Sequence, residues 1–389
     1  MPNSQNTSSL KRQYIQDQNS LNELCQQLEK SPVLAIDTEF VRTRTLYPKL
    51  GLLQINNGEY LALIDPIAID DLSPFWALLT NENICKVLHA CSEDLEVFLT
   101  SANCKPVNLI DSQVMMSFLG HGLSMGYAAM IQHFIGIELD KSESRTDWTK
   151  RPLTDRQLTY AQADVEHLFA VYPEIVELVT QAGWLTAAQQ ETQLMIDKKF
   201  TPIDESQLYR NVKMSWRLNP QQLSILQYLA IWRYQQAKKR DLPLGFVVKD
   251  HTLLALAKHE PKSTSDMLKL EGIDMLDVKH KGKALLVQLK HASEIAVQDY
   301  PEKIIRLDEY PLYKQIYKKV KSFIADVASD SEQTPENLAS KRQINQFLSW
   351  HFKLNGAEDK KLSVDILLDW RLTLFGEKLL AFAKNNFQS

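Results

Sequence analysis

The chain opens with short apolar runs separated by polar turns. PVLAID (32–37), GLLQI (51–55), EYLALID (59–65), KVLHA (86–90) and VNLID (107–111) have strand length, and an Asn-Asn-Gly turn at 56–58 joins the second to the third. Between and after them, apolar residues recur at helical spacing over 21–29, 73–80, 92–99, 112–119 and 124–135. A longer amphipathic segment opens near Thr154, an N-cap residue just after Arg-Pro-Leu, and runs to about Ala182 before Gly183 stops it. Strands alternating with helices predict an α/β layer fold with a mixed sheet. Three strands close together at the start predict an antiparallel portion followed by parallel crossovers.

From about Asn219 the strand signals disappear. QQLSILQYLAIWRYQQAKKR (221–240) carries Leu223, Leu226, Leu229, Ala230, Trp232 and Ala237 at helical spacing. Shorter helical runs follow at 250–259, 263–268, 274–278 and 281–296, broken by Pro243, Pro261 and Gly272. After Tyr300-Pro301 a similar order recurs, with helices predicted at 310–328, 336–339, 341–350, 361–369 and 371–384. Two related helical modules follow the α/β part. The division is a disordered N-terminus at 1–10, an α/β domain at 11–185, a linker at 186–215, and helical domains at 216–297 and 305–386.

Charge adds to this division. The net charge is −4, but it is unevenly spread. Residues 1–215 carry 17 Lys and Arg against 27 Asp and Glu, whereas residues 216–295 carry 13 against 8. An acidic half suits cation binding, and a basic later segment suits phosphate. No run of about 18 apolar residues appears, so no bilayer span is expected. The polar start MPNSQNTSSLKRQ lacks a signal-peptide core. Cys25, Cys85, Cys91 and Cys104 have no metal-ligand spacing and read as reduced, buried thiols of a cytoplasmic protein.

Three motifs carry candidate chemistry. Asp37-Thr38-Glu39 ends an apolar strand, and strand residues i and i+2 share a face. Two carboxylates so placed repel by roughly 4 kcal/mol at about 4 Å and an effective dielectric near 20. Divalent cations remove that penalty and make the cluster catalytic. In Tyr160-Ala161-Gln162-Ala163-Asp164 a hydroxyl and a carboxylate stand four apart on one helical face. His89-Ala90-Cys91-Ser92-Glu93-Asp94 lies where a strand feeds a helix, with Ser92 as N-cap and acidic residues in the first turn. Taken singly, each motif has an ordinary structural explanation. No GxGxxG follows an early strand and no GxxxxGK[ST] occurs, which disfavours a nucleotide-cofactor enzyme, so no organic cofactor is expected.

In order and context the three motifs resemble the DEDD exonuclease superfamily, in the branch whose third motif begins with tyrosine. DTEFVRTRTLYPKLGLLQI (37–55), HACSEDLEVF (89–98) and TDWTKRPLTDRQLTYAQADVEHL (146–168) resemble the ribonuclease D family in particular. WRYQQAKKRDLPLGFVVKDHTLLALA (232–257) is similar to the HRDC consensus, so the resemblance spans the whole chain. Departures are Cys91, where relatives often have glycine, and Thr146, where serine is frequent. The second helical module matches less well.

The resemblance implies an RNase H-like exonuclease domain, a mixed sheet flanked by helices, followed by two all-α HRDC-type bundles. It implies a 3′→5′ exoribonuclease releasing nucleoside 5′-monophosphates, with tRNA precursors as substrate. Asp37, Glu39, Asp94 and Asp164 would hold two divalent ions, Mg²⁺ or Mn²⁺, and Tyr160 would position the attacking water. Candidate substrate contacts are Arg42, Arg44, Tyr47, Gln54, Trp148, Lys150 and Arg151 around the site, and Lys238, Lys239, Arg240 and Lys249 in the first helical module. Alternatives are a DNA 3′→5′ exonuclease, since such sites cut both polymers, and a non-catalytic nucleic-acid-binding adaptor, against which all four carboxylates stand. The oligomeric state is not legible in the residues.

Overall fold

The computed structural model describes residues 10–140, 142–356 and 364–388. The expected disordered segment 1–10 therefore lies, except for Leu10, outside the described residues. The first domain comprises β1 (Lys11–Ile15), α1 (Gln18–Leu28), β2 (Val33–Val41), β3 (Lys49–Asn56), β4 (Tyr60–Ile64), α2 (Ser73–Thr80), β5 (Cys85–Leu88), α3 (Ser92–Ala102), β6 (Leu109–Asp111), α4 (Ser112–Phe118), α5 (Tyr127–Ile135), α6 (Asp155–Gln181) and α7 (Leu185–Phe200).

The six strands form one mixed sheet in the order β1-β4-β3-β2-β5-β6. The middle pairs β2–β3 and β3–β4 are antiparallel, while β1–β4, β2–β5 and β5–β6 are parallel, in line with the predicted mixture. β1 escapes the sequence pattern. KRQYI shows almost no apolar run because β1 is an edge strand and mostly exposed.

Helices cover both faces. Leu34 and Ile36 of β2 join a core with residues of α1, α2 and α3. Ala35, between them on the strand, joins the opposite core with α4, α5 and α6. Each such leucine or isoleucine, fully buried, contributes about 1.5–3 kcal/mol. The period of two thus assigns Asp37 and Glu39 to the α6 face. On α6, Ala161, Val165, Leu168, Val171, Ile175 and Val179 form the buried stripe. Tyr160 and Asp164 each precede a stripe residue by one position and so flank it.

Residues 186–215, predicted as a linker, are mostly structured. α7 packs Ala187, Ala188, Thr192 and Ile196 into the first domain, and 3-10 turns follow at Glu205–Asn211 and Ser215–Arg217. Small and polar residues on its buried face hide this helix from a hydrophobicity pattern.

The first helical bundle holds α8 (Pro220–Arg240), α9 (Leu244–Val247), α10 (Asp250–His259), α11 (Thr264–Met267) and α12 (Met275–Ser293). α12 is one helix where two were predicted, because Gly282 and its lysine neighbours mask the periodicity. Leu46 of the first domain reaches the core of this bundle. The second bundle holds α13 (Tyr313–Asp330), α14 (Pro335–Leu338), α15 (Lys341–His351), α16 (Asp369–Arg371) and α17 (Glu377–Lys384). A π-helical turn at Leu372–Gly376 joins the last two, and a Cβ on Gly376 would lie 2.5 Å from the Ile366 carbonyl oxygen. Of the helix predicted at 361–369, residues 361–363 lie outside the described residues. This bundle clamps onto the first domain. Trp370 packs against Phe118 and Trp184 at ring distances of 5.2 and 6.2 Å, Arg371 pairs with Glu191, and Lys198 pairs with Asp365 at 2.5 Å.

All four cysteines are free thiols, three of them buried. Among the described residues no helix is long and apolar enough to cross a membrane.

Candidate active site

Asp37, Glu39 and Asp164 meet where β2 passes under α6. Each offers one carboxylate oxygen, and these atoms lie within 4.8 Å of one another. Several bonds place α6 for this. Thr154 and Gln157 form a capping box at its start. Asn56 Nδ2 on β3 donates to the Val165 carbonyl at 3.1 Å. The Tyr127 hydroxyl on α5 lies 2.9 and 2.6 Å from the carbonyl oxygens of Ala163 and Asp164. Tyr127 carries no sequence signal for this role, because nothing in its own motif distinguishes it from a packing residue.

Asp94 is placed differently. It is buried in the first turn of α3, and the Thr38 hydroxyl donates to its Oδ1 at 2.5 Å. It stands outside the close trio. The turn before α3 is fixed by Asp111, whose carboxylate accepts the backbone N–H of Ala90 and Cys91, both at 2.9 Å. Ser92, predicted as the N-cap, is instead the first helical residue, and no side chain of the turn itself caps α3.

Burial, then the neighbouring Asp164, pushes the Asp37 carboxyl well above the ordinary carboxylate range. Burial, then Asp37, pushes Glu39 up to about 10. Asp94 is raised by burial and by Asp37, and Asp164 is raised by burial to about 8. The Tyr160 hydroxyl is raised by burial and by Asp164, so it stays protonated as a donor. A cluster that repels its own charge and offers only hard oxygen ligands fits a divalent cation such as Mg²⁺ or Mn²⁺.

The other candidates divide by what they already hold. Arg151 donates from Nε and Nη2 to Asp65 at 2.6 Å each, from Nη2 to Gly51 O, and from Nη1 to Trp148 O and Lys150 O. All five of its N–H groups are occupied, so it is already held as a structural bridge. Trp148 is likewise a core residue, 1% exposed. A Cβ on Gly51 would lie 2.6 Å from its carbonyl oxygen, so only glycine admits that approach. Gln54 is fully buried on β3 opposite Asp37 and does not line an open path. Arg42 pairs with Glu96 of α3 at 2.6 Å. Tyr47 and Leu46 donate their backbone N–H groups to Asp241 at the end of α8. Lys238 lies 3.8 Å from Glu205, and Lys249 pairs with Asp274 at 3.0 Å. Arg44, Lys239 and Arg240 are exposed without an ion pair among the described residues, and Lys150 has only a 4.0 Å approach to Asp147.

Comparison with known proteins agrees with this fold. Residues 12–180 match the 3′-5′ exonuclease family, 222–287 the HRDC domain, and 311–379 the C-terminal HRDC domain of ribonuclease D. Ribonuclease D of Cronobacter turicensis is 41% identical over 95% of this chain and 100% of its own. The chain belongs to the ribonuclease D family. The crystal structure of Escherichia coli RNase D, described as an exoribonuclease involved in structured RNA processing, has a TM-score of 0.91 and 39% identity, covering 97% of this chain and 99% of that one. Ribonuclease D of Serratia proteamaculans is 40% identical over 94% of this chain and 97% of its own. As a ribonuclease D family member the chain is a hydrolase of the 3′-5′ exoribonuclease class. Its acidic cluster marks divalent-metal use, and its fold is the family's exonuclease domain followed by two HRDC domains.

Proposed function

We propose that this enzyme trims the 3′ ends of tRNA precursors in the cytoplasm, releasing nucleoside 5′-monophosphates by two-metal catalysis. The observation that carries the mechanism is the convergence of Asp37, Glu39 and Asp164 within 4.8 Å, beside Tyr160. In this reading Asp37 and Glu39 would hold the ions from β2, Asp164 from α6 and Asp94 from α3. When bound, two Mg²⁺ or Mn²⁺ ions supply a nucleophile that ionises near neutral pH and charge neutralisation at the departing 3′ oxygen. The Tyr160 hydroxyl orients the attacking water by a hydrogen bond. Water attacks the terminal phosphorus, the bond to the 3′ oxygen breaks, and that oxygen takes up a proton.

Tyr160→Phe is expected to lower kcat about 100-fold while RNA affinity changes little, read by single-turnover kinetics beside a binding titration. Equal loss in kcat and affinity would assign Tyr160 to substrate holding instead.

The choice of tRNA rests on the family resemblance. A 3′-extended tRNA precursor incubated with Mg²⁺ should shorten one nucleotide at a time and pause near the mature end. Internal cuts, or equal digestion of a matched DNA, would overturn the RNA reading.

Lys239 and Arg240 are proposed as phosphate contacts. Replacing both with alanine should flatten the dependence of log K on log salt by about 1.4, since each single-strand phosphate contact contributes about 0.7. An unchanged slope would leave them as solvated surface.

A further inference from the structure

Gln54 is the one side chain among the described residues with two buried polar atoms, Oε1 and Nε2, that both lack a partner. The residue is fully inaccessible to solvent. Loose packing does not explain this. Two positions along the same strand, Asn56 donates to the Val165 carbonyl at 3.1 Å and accepts the Gly58 N–H at 2.8 Å. The sheet can satisfy an amide on this face, and at Gln54 it does not.

The register says what Gln54 faces. It stands directly opposite Asp37 in the antiparallel β2–β3 pair. Leu52 belongs to the core on the α6 side and Leu53 to the other, so Gln54 shares the α6 face with Asp37. Opposite residues on one face have Cβ atoms about 4.5–5.5 Å apart, within reach of a glutamine side chain. A buried unsatisfied amide is destabilising, and its retention calls for a compensating role. Trp148, whose indole N–H is also buried and unpartnered, packs against the Tyr160 ring at 6.0 Å, so a second orphaned donor belongs to a residue that touches the site.

We infer that Gln54 is a positioning residue that braces Asp37 from across the strand pair, donating from Nε2 to the carboxylate when that carboxylate holds a cation. The inference rests on Asp37 being a metal ligand. A carboxylate bound to a metal through one lone pair keeps others, and a donor fixed in the fold selects its orientation. The amide gains its partner only in the loaded site. Its cost falls on the metal-free protein.

The test compares full-length wild type with Gln54→Met, Gln54→Asn and, as a control, Thr252→Val, which removes a buried, unpartnered hydroxyl on α10 of the first helical bundle. Mn²⁺ affinity is measured by calorimetry without RNA, and the thermal midpoint is measured in EDTA. Gln54→Met should raise the EDTA midpoint, because two orphaned atoms disappear, yet weaken Mn²⁺ binding about 10–100-fold. Gln54→Asn keeps the amide but shortens its reach, and should also weaken Mn²⁺ binding. Thr252→Val should raise the midpoint and leave Mn²⁺ affinity as it was. Mn²⁺ affinity within twofold of wild type in Gln54→Asn overturns the proposal, even if Gln54→Met fails to fold. Loss of the metal reading itself shows separately, as Asp37→Ala binding Mn²⁺ like wild type.

Discussion

Asp37→Ala and Asp164→Ala are each expected to reduce mononucleotide release by about 10³-fold or more while the metal-free fold becomes more stable. Both effects have one cause. The cluster places carboxylates together at the junction of β2 and α6, and burial raises all of them above their ordinary range. An acid whose folded value is raised weighs against folding as it ionises. Asp164 goes from 3.8 to about 8, so the metal-free enzyme should lose stability as pH climbs between those values. Removing Asp164 should reduce that loss, and adding Mn²⁺ to wild type should oppose it by mass action. Thermal melts in EDTA and in Mn²⁺ across pH 5–8, beside an RNA-digestion assay, read both halves. An alanine variant with wild-type activity, or one less stable than wild type in EDTA at neutral pH, would show that the carboxylates serve structure and not cation binding.

The site was legible where residue spacing coincides with element geometry. Asp37 and Glu39 share a face because strands alternate, and Tyr160 and Asp164 share one because helices repeat every 3.6 residues. Asp94 enters the candidate site by motif order alone. Its hydrogen bond from Thr38, a residue that the alternation turns away from Asp37, depends on how α3 approaches the sheet. The supports supplied by Tyr127 and Asp111 are likewise products of packing between segments distant in the chain. β1 and α7 escaped for a related reason. An exposed edge strand is held by backbone pairing to β4, and α7 buries alanine and threonine, so neither writes an apolar pattern.

Arginines near the site show the limit most sharply, because a guanidinium reads the same whether it awaits phosphate or already holds a carboxylate. Arg151 stands three residues before the cap of α6, where a substrate contact is chemically reasonable. Its partner Asp65 is 1% exposed and lies at the end of β4, far along the chain.

Arg151→Met is therefore expected to cost about 3–5 kcal/mol of stability, since it strands a buried carboxylate. Tyr14, which donates to Asp65 at 2.7 Å, and the Ile67 N–H at 3.0 Å remain as partners but carry no charge. In the wild type, burial alone would raise the Asp65 carboxyl, yet hydrogen bonds from Arg151 and Tyr14 hold it at about 2. That depressed value contributes stability above 3.8, the ordinary value, which is lost as pH falls through about 2. Without the guanidinium, burial dominates and the sign reverses. The variant's deficit should be largest at neutral pH and shrink as acid protonates Asp65. Urea denaturation at pH 7 and pH 4 measures this, with RNA affinity of the folded fraction unchanged. Wild-type stability combined with weakened RNA binding would return Arg151 to the substrate path.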